Sequence, residues 1–454
     1  MLNKIITQAQ KYLQESFDPE GVETTGRTTQ FVKRQSKLTG FVFLKTLVMG
    51  FLSYPHATLK QLAGVCADMD VEITAQGLDD RLSQAAVDFL KQRLVEALSH
   101  WRVRSRGVGE IMQHFTEVYL MDSTSVALPA TLQGLFPGSG GNASTAMLKI
   151  QLLFGLLSGA LHKLDLVAGN LPDSGYLEHI PHLLPGSLLI QDLGYFSLDL
   201  FHTVADRAIF FLTRWRQDVK VYLNSDPQHA LDMLTFLADQ HSTVAAYQVQ
   251  VGQQMHLSCR MVVVRLPQEV AEQRRRRVKA DAQRRGSMVK PYSLALCDWN
   301  IFLTNIPSER LSLAQILACY GLRWQIELVF KLWKSQAGLN RLATLRKERA
   351  LCEVYAKLIG IVLTHFLVAP LRFLLIEQRV QISPVIARQI LQDRAKTISS
   401  CLGLRDNSLF LPISDLIHRI LRFARINKRN LHPSSWERFC RANDLSVAQL
   451  YPLA

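Results

Sequence analysis

The stretch YGLRWQIELVFKLWK, from Tyr320 to Lys334, puts charge and apolar bulk into the same few helical turns. On a helix at about 100° per residue with Tyr320 at zero, Arg323 falls near ~300°, Glu327 near ~340°, Lys331 near ~20° and Lys334 near ~320°. Leu322, Ile326, Val329 and Trp333 fall at about 180–240°, on the opposite side. One face therefore suits a core. The other presents a phenol, a guanidinium, a carboxylate and two ammonium groups together. Spaced salt bridges, Arg323 to Glu327 and Glu327 to Lys331, would also produce such a stripe, at a few tenths of a kcal/mol per pair.

Two further carboxylates bear on that choice. Asp122 closes the apolar run EVYLMD and precedes STS; Asp192 closes SLLIQD and precedes LGYF. A carboxylate at the end of an apolar strand is costly to bury unless it is paired or metal-bound. Two strand-end aspartates and one helical glutamate could converge on divalent ions, and Mg²⁺ favours oxygen ligands. Two such ions ~4 Å apart would activate an attacking oxygen and stabilise a leaving one. Asp173 and Asp199 read as ordinary turn or cap residues.

The chain has 454 residues, enough for several domains and a large core. With 52 Lys+Arg against 38 Asp+Glu, its net charge of +14 suits a polyanionic partner, nucleic acid or an anionic membrane surface. Hydrophobic content of 48% excludes a disordered chain. The N-terminal residues show no signal-peptide pattern. The most apolar window, Leu358 to Leu371, is interrupted by His365 and Pro370 and reads as a buried core helix, not a membrane span. The cysteines, Cys66, Cys259, Cys297, Cys319, Cys352, Cys401 and Cys440, are scattered and odd in number, which fits a reducing compartment without structural zinc or a disulfide framework.

Residues from Phe31 to about Trp101 read as successive helices, with Ser83 as an N-cap. Two short ones, ATLKQLAGVC and TAQGLDDRLS, have the length of a helix-turn-helix, and an ordinary bundle explains them equally well. From Glu117 the pattern becomes strand-like: EVYLMDSTSVAL, AMLKIQLLFGLLSGA, HKLDLVAGN, GSLLIQDLGYF and AIFFLTRW. Helices are expected near SGYLEHIPHLL and at LDLFHTVADR. Three strands followed by alternating helix and strand predict an α/β fold, a mixed sheet flanked by helices. Between residues 216 and 307, MHLSCRMVVVRLP and LALCDWNIFLTNI read as strands around a basic helix, an inserted subdomain.

The residues Tyr320, Arg323, Glu327 and Lys334 have the spacing Tyr-x2-Arg-x3-Glu-x6-Lys, and Asp192-Leu193-Gly194-Tyr195 has the form D-x-G-Y. With Asp122 after an apolar strand, these residues resemble the DDE transposases of bacterial insertion sequences, in the group that carries a YREK signature (insertion-sequence-four type). The likeness runs from about residue 30 to about residue 380. It implies a ribonuclease H-like core interrupted by a mainly β insertion, with helical N-terminal and C-terminal regions. The expected division is a DNA-binding helical region 1–110, the core's first part 111–215, the insertion 216–307, the core's second part 308–380 and a helical end 381–454.

The resemblance further implies that Asp122, Asp192 and Glu327 are catalytic and hold Mg²⁺, for which Mn²⁺ could substitute. Strand cleavage, hairpin formation and strand transfer would follow at terminal inverted repeats and target DNA, in a homodimer of the bacterial cytoplasm associated with the nucleoid and not with a membrane. Tyr320, Arg323 and Lys334 would grip phosphates, with Lys331 beside them. A tryptophan of the insertion stacks near a flipped-out base in relatives, and Trp299 is the candidate here. Arg274, Arg275, Arg276 and Arg277 form the densest basic run and are expected on phosphates, as are Arg214 and Arg216. The basic stretch HRILRFARINKRN near the C-terminus fits subunit or DNA contacts. A ribonuclease H-like nuclease without strand transfer, and a DNA-binding derivative without catalysis, are the alternatives.

Overall fold

The computed structural model describes residues 2–99, 114–140, 144–340, 342, 346–376, 380–404, 407–426, 438–439, 441–445 and 447–450. Cys440 and the end of the C-terminal basic stretch, from 427 on, lie outside them.

Strands β1 (Val118–Leu128), β2 (Ala146–Gly155) and β3 (Leu161–Ala168) form an antiparallel meander. β4 (Leu188–Gln191) lies parallel to β1, and β5 (Phe210–Arg214) parallel to β4. The chain then makes β6 (Val221–Leu223), β7 (Asp226–Ala230), β8 (Val244–Val251), β9 (Leu257–Arg265) and β10 (Trp299–Thr304). β10 pairs antiparallel with both β5 and β9, so the strand order is β3-β2-β1-β4-β5-β10-β9-β8-β6-β7. The stretch expected as an inserted subdomain thus continues the first sheet. Its strand β10 satisfies the edge hydrogen bonds that β5 would otherwise expose. β3 and β7 are the two outer edges, and all five residues of β7 are exposed.

Alternation along the strands sorts the core into two faces. Val118, Leu120, Leu188 and Ile190 join one cluster; Tyr119, Met121 and Leu189 join the other, and all are buried. The second face is covered by α7 (Leu198–Asp206), whose N-cap Ser197 accepts from Leu200 N–H. Asp199 sits in its first turn, where a carboxylate meets the helix dipole favourably.

The first face carries the N-terminal helices and the long helix Lys347–Ile376, whereas two short helices, Met233–Ala238 and Pro291–Ala295, set Met233, Leu237 and Tyr292 against the second. The N-terminal set is α1 (Leu2–Ser16), α2 (Pro19–Thr28), α3 (Gly40–Ser53), α4 (Leu59–Ala67), α5 (Ala75–Arg81) and α6 (Gln84–Ser99). Thr58 and Gln61 form a capping box on α4, Thr74 caps α5, and Ser83 Oγ accepts from Ala86 N–H at the start of α6. The remaining helices are α8 (Met233–Ala238), α9 (Gln268–Arg284), α10 (Pro291–Ala295), α11 (Leu313–Gly321), α12 (Trp324–Gln336), α13 (Lys347–Ile376), α14 (Pro384–Cys401), α15 (Phe410–Phe423) and α16 (Val447–Leu450).

α13 packs against α6, α3 and α1. It is long and apolar enough to cross a membrane, yet 94% of its most apolar window is buried inside the protein, as a core helix requires. Its Glu353–Lys357 pair is enclosed with it, 2.6 Å apart.

The helix expected near SGYLEHIPHLL is replaced by two three-residue 3-10 turns, Asp173–Gly175 and Ile180–His182. Pro172, Pro181 and Pro185 remove the donors that a longer helix would need. In LALCDWNIFLTNI only Trp299–Thr304 is strand; Leu296–Asp298 is a 3-10 turn.

Candidate active site

The β1–β4 ladder ends at the pair Met121 and Gln191. The next residue on each chain is an aspartate, so parallel register sets Asp122 and Asp192 side by side. Both share the parity of the helix-bearing face. Asp122 does not end its strand as the sequence suggested, because β1 continues to Leu128 in antiparallel pairing with β2. What ends there is its parallel neighbour, and that opens space beside Asp122. The β4–β5 register pairs Ile190 with Leu212, so the same spacing brings Arg214, half exposed, level with Asp192.

The third carboxylate arrives on α12, which packs against β1. The stretch from Tyr320 to Lys334 is not one helix: α11 ends at Gly321, and Leu322 and Arg323 lie between it and α12. Both connecting residues keep right-handed helical dihedrals, so the charged stripe survives the break. Leu322, Ile326, Val329 and Trp333 are buried, as the wheel predicts. On the other side, Arg323 gathers all three carboxylates. Its guanidinium lies 2.5 Å from Glu327, 3.4 Å from Asp122 and 3.9 Å from Asp192. Of the two salt bridges the spacing allowed, Arg323–Glu327 forms; none links Glu327 to Lys331 among the described residues.

Burial sets the electrostatics. It pushes the Asp122 carboxyl up to about 6, with Asp192 and Glu327 adding to the rise; Ser123 N–H, 2.8 Å away, and Arg323 oppose it. Burial opposes the charge on Arg323, yet Asp192, Tyr320, Glu327 and Asp122 together hold its pKa above the ordinary value. Tyr320 packs on Phe302 with ring centroids 4.9 Å apart, and burial raises its phenol to about 12. Burial lowers Lys334, whose ammonium has no carboxylate partner among the described residues. Lys331 is exposed. Among the described residues no three His, Cys, Asp or Glu side chains close on a common ion position; the carboxylates surround Arg323 instead.

Trp299 is not brought to this site. It is 8% exposed in β10, with Arg265 over its ring at 5.2 Å. The exposed aromatic beside the site is Trp324, 52% exposed, with Leu328 one turn on at 42%. The wheel held that information: Trp324 falls at about 40°, on the charged side, where an apolar side chain has no core to enter.

The basic run divides as well. Arg275 pairs with Asp298 at 2.7 Å and Arg274 donates to Trp299 C=O, so these two brace α9 on the strand beneath; Arg276 and Arg277 are exposed. Arg216 pairs with Asp218 at 2.7 Å and lies over the Phe196 ring.

A mixed sheet that sets two aspartates side by side, and a helix that adds a glutamate and a lysine with an arginine at its N-cap, is suited to acting on a phosphodiester. Residues 113–363 match the family described as Transposase DDE domain, and the chain belongs to that family. The family cuts and rejoins DNA strands, generally with divalent metal ions. The chain is also similar, along nearly its whole length, to named proteins. It is 28% identical to the transposase for insertion sequence element IS231F of Bacillus thuringiensis subsp. israelensis, over 95% of this chain and 93% of that protein. It is 29% identical to the IS231D transposase of Bacillus thuringiensis subsp. finitimus, over 80% of each chain. It is 26% identical to the IS1151 transposase of Clostridium perfringens, over 83% of this chain and 84% of the relative.

Proposed function

We propose that the chain is the transposase of a bacterial insertion sequence of the YREK-signature group, and that it moves its element by cut-and-paste transposition. The convergence of Asp122, Asp192 and Glu327 on Arg323 carries this reading. The order β3-β2-β1-β4-β5, with β4 and β5 parallel to β1, supports a ribonuclease H-like core in residues 111–215 and 308–380, with 216–307 as its β-rich insertion. Residues 1–110 would serve the DNA ends, and 381–454 the partner subunit of a homodimer working on the bacterial nucleoid.

Three carboxylates with no histidine or thiol form a donor set suited to a hard divalent cation, Mg²⁺ or Mn²⁺. When bound, it would lower the pKa of an attacking water or 3′-hydroxyl and stabilise the leaving oxygen. Asp122, Asp192 and Glu327 would hold it, and Arg323 would exchange its carboxylate contacts for the scissile phosphate. Lys334, partly desolvated and without a carboxylate partner among the described residues, stabilises charge that builds on that phosphate. Tyr320 and Arg214 line the phosphate's approach, and Trp324 offers the stacking surface first assigned to Trp299. Arg276 and Arg277 supply sequence-independent backbone contacts, with Lys331 nearer the site.

The test is a Mg²⁺-dependent assay on duplexes bearing the inverted repeats that flank the gene. Cleavage with hairpin formation and joining is the expected outcome. Cleavage alone would reduce the reading to a nuclease, and binding alone to a DNA-binding derivative.

A further inference from the structure

Directly beneath Asp122 and Asp192, on the other face of the sheet, a further carboxylate, Asp173, holds a polar network with the buried Lys149 and Gln151. Ser123 is paired in register with Gln151, and both point away from the helix-bearing face, as does Lys149. All three donate to the same oxygen of Asp173: Ser123 Oγ at 3.0 Å, Lys149 Nζ at 3.0 Å and Gln151 Nε2 at 3.2 Å. Lys149 also donates to Leu171 C=O at 2.6 Å. The other Asp173 oxygen lies against Gly194; a Cβ built there would meet it at 3.3 Å. The turn containing Gly194 begins at Asp192, with Tyr195 N–H donating to Asp192 C=O. Tyr195 then returns under the sheet, 2% exposed, and its hydroxyl donates to Gln151 Oε1. Gln191 Nε2 closes the loop by donating to Tyr195 C=O at 3.0 Å.

One carboxylate therefore hydrogen-bonds the residue after Asp122 and the strand that pairs with β1, and lies against the turn that follows Asp192. We propose that Asp173 is a positioning residue that fixes the separation of Asp122 and Asp192 from the far side of the sheet, and so sets the affinity of the site for a divalent cation. The inference rests on the reading of Asp122 and Asp192 as the ligands. Asp173 does not reach the reacting atoms. It acts through Ser123, Gln151 and Tyr195, as outer partners act on metal ligands elsewhere. Asp173 has the sequence context of a turn residue, which it also is.

The experiment titrates Mn²⁺ into the full chain and reads free Mn²⁺ by electron paramagnetic resonance, alongside cleavage at graded Mn²⁺. Asp173→Ala should weaken Mn²⁺ affinity by about tenfold or more. Tyr195→Phe, which removes one hydroxyl from an intact core, should weaken it in the same direction by a smaller factor. Saturating Mn²⁺ should restore cleavage in both, a recovery that a partly unfolded variant would not show. If Asp173→Ala does not fold, Tyr195→Phe decides the matter. Wild-type Mn²⁺ affinity in the folded variants overturns the inference. Asp122→Asn separates it from its premise: unchanged Mn²⁺ binding there would remove the metal-ligand assignment itself, whereas loss there with none in the Asp173 and Tyr195 variants would overturn only the positioning role.

Discussion

α9 carries Arg274, Arg275, Arg276 and Arg277 in an unbroken row, whereas the stretch from Tyr320 to Lys334 spreads one arginine and two lysines among tryptophans and aliphatics. By density alone the first is the stronger candidate for binding a polyanion. In the fold, two of its arginines brace the helix on Asp298 and Trp299 and two face solvent. The sparser stretch places one guanidinium among three carboxylates drawn from β1, the end of β4 and α12. Charge density measures how strongly a surface attracts DNA. Charge placed against strand ends decides whether anything happens to the DNA once it is there.

The largest effects belong to the carboxylates. Asp122→Asn, Asp192→Asn and Glu327→Gln should each abolish cleavage in Mg²⁺ while end binding, measured by gel shift, stays close to wild type. Near wild-type cleavage by any one of them would remove that residue from the site. The next effect belongs to Lys334. Lys334→Ala should slow strand cleavage and hairpin formation by about 10²-fold, the scale of a positioned charge in a water-poor site, and Lys331→Ala much less. Rates on pre-nicked and intact ends would show it, and equal, small losses at both positions would return the stripe to an ordinary amphipathic helix.

A stability measurement sharpens the electrostatic side. Burial holds the Asp122 pKa at about 6, above the ordinary 3.8, so the folded chain binds this proton more tightly than the unfolded chain does. The favourable contribution is complete below the unfolded value and is lost as pH rises through about 6. In EDTA, Asp122→Asn should therefore be more stable than wild type above that pH, by an amount on the order of 2 kcal/mol. The gap should close as the pH falls toward 4, the ordinary carboxylate range. Urea melts at several pH values would measure it, and a gap independent of pH would contradict the burial effect. The smallest change belongs to α9. Replacing Arg276 and Arg277 with Ala should lower the slope of log affinity against log salt by about 0.9 for each lost phosphate contact. Arg275→Ala should instead loosen the α9–Asp298 contact and leave the slope nearly unchanged; filter binding across a salt series separates the two outcomes.

How much of this was legible beforehand follows from period and parity. The apolar face of α12 could be read from the sequence because a helix repeats locally. The side-by-side placement of Asp122 and Asp192 could be expected, but not located, since strand register is a long-range property. The break at Leu322–Arg323 was not legible, because it does not change the local pattern, whereas a tryptophan in an apolar strand such as Trp299 is as readily a buried one, which it is. β6, β7 and β8 were not read either; β7 is exposed on every residue and has no alternation to read, and β6 is only three residues long. Asp173 looked like any turn aspartate because its partners, Ser123, Lys149 and Gln151, lie far from it in the chain.

The two edges of the ten-stranded sheet have a consequence for crowding. An open edge offers unpaired backbone groups to any neighbouring chain and can nucleate aggregation. At one end β7 is short and carries Asp226 and Pro227, a charge and a missing donor where another strand would dock. At the other, β3 carries the Lys163–Asp165 ion pair and lies against α6. Both ends resist edge-to-edge growth, so copies packed closely on one polymer have no ready route to fuse their sheets.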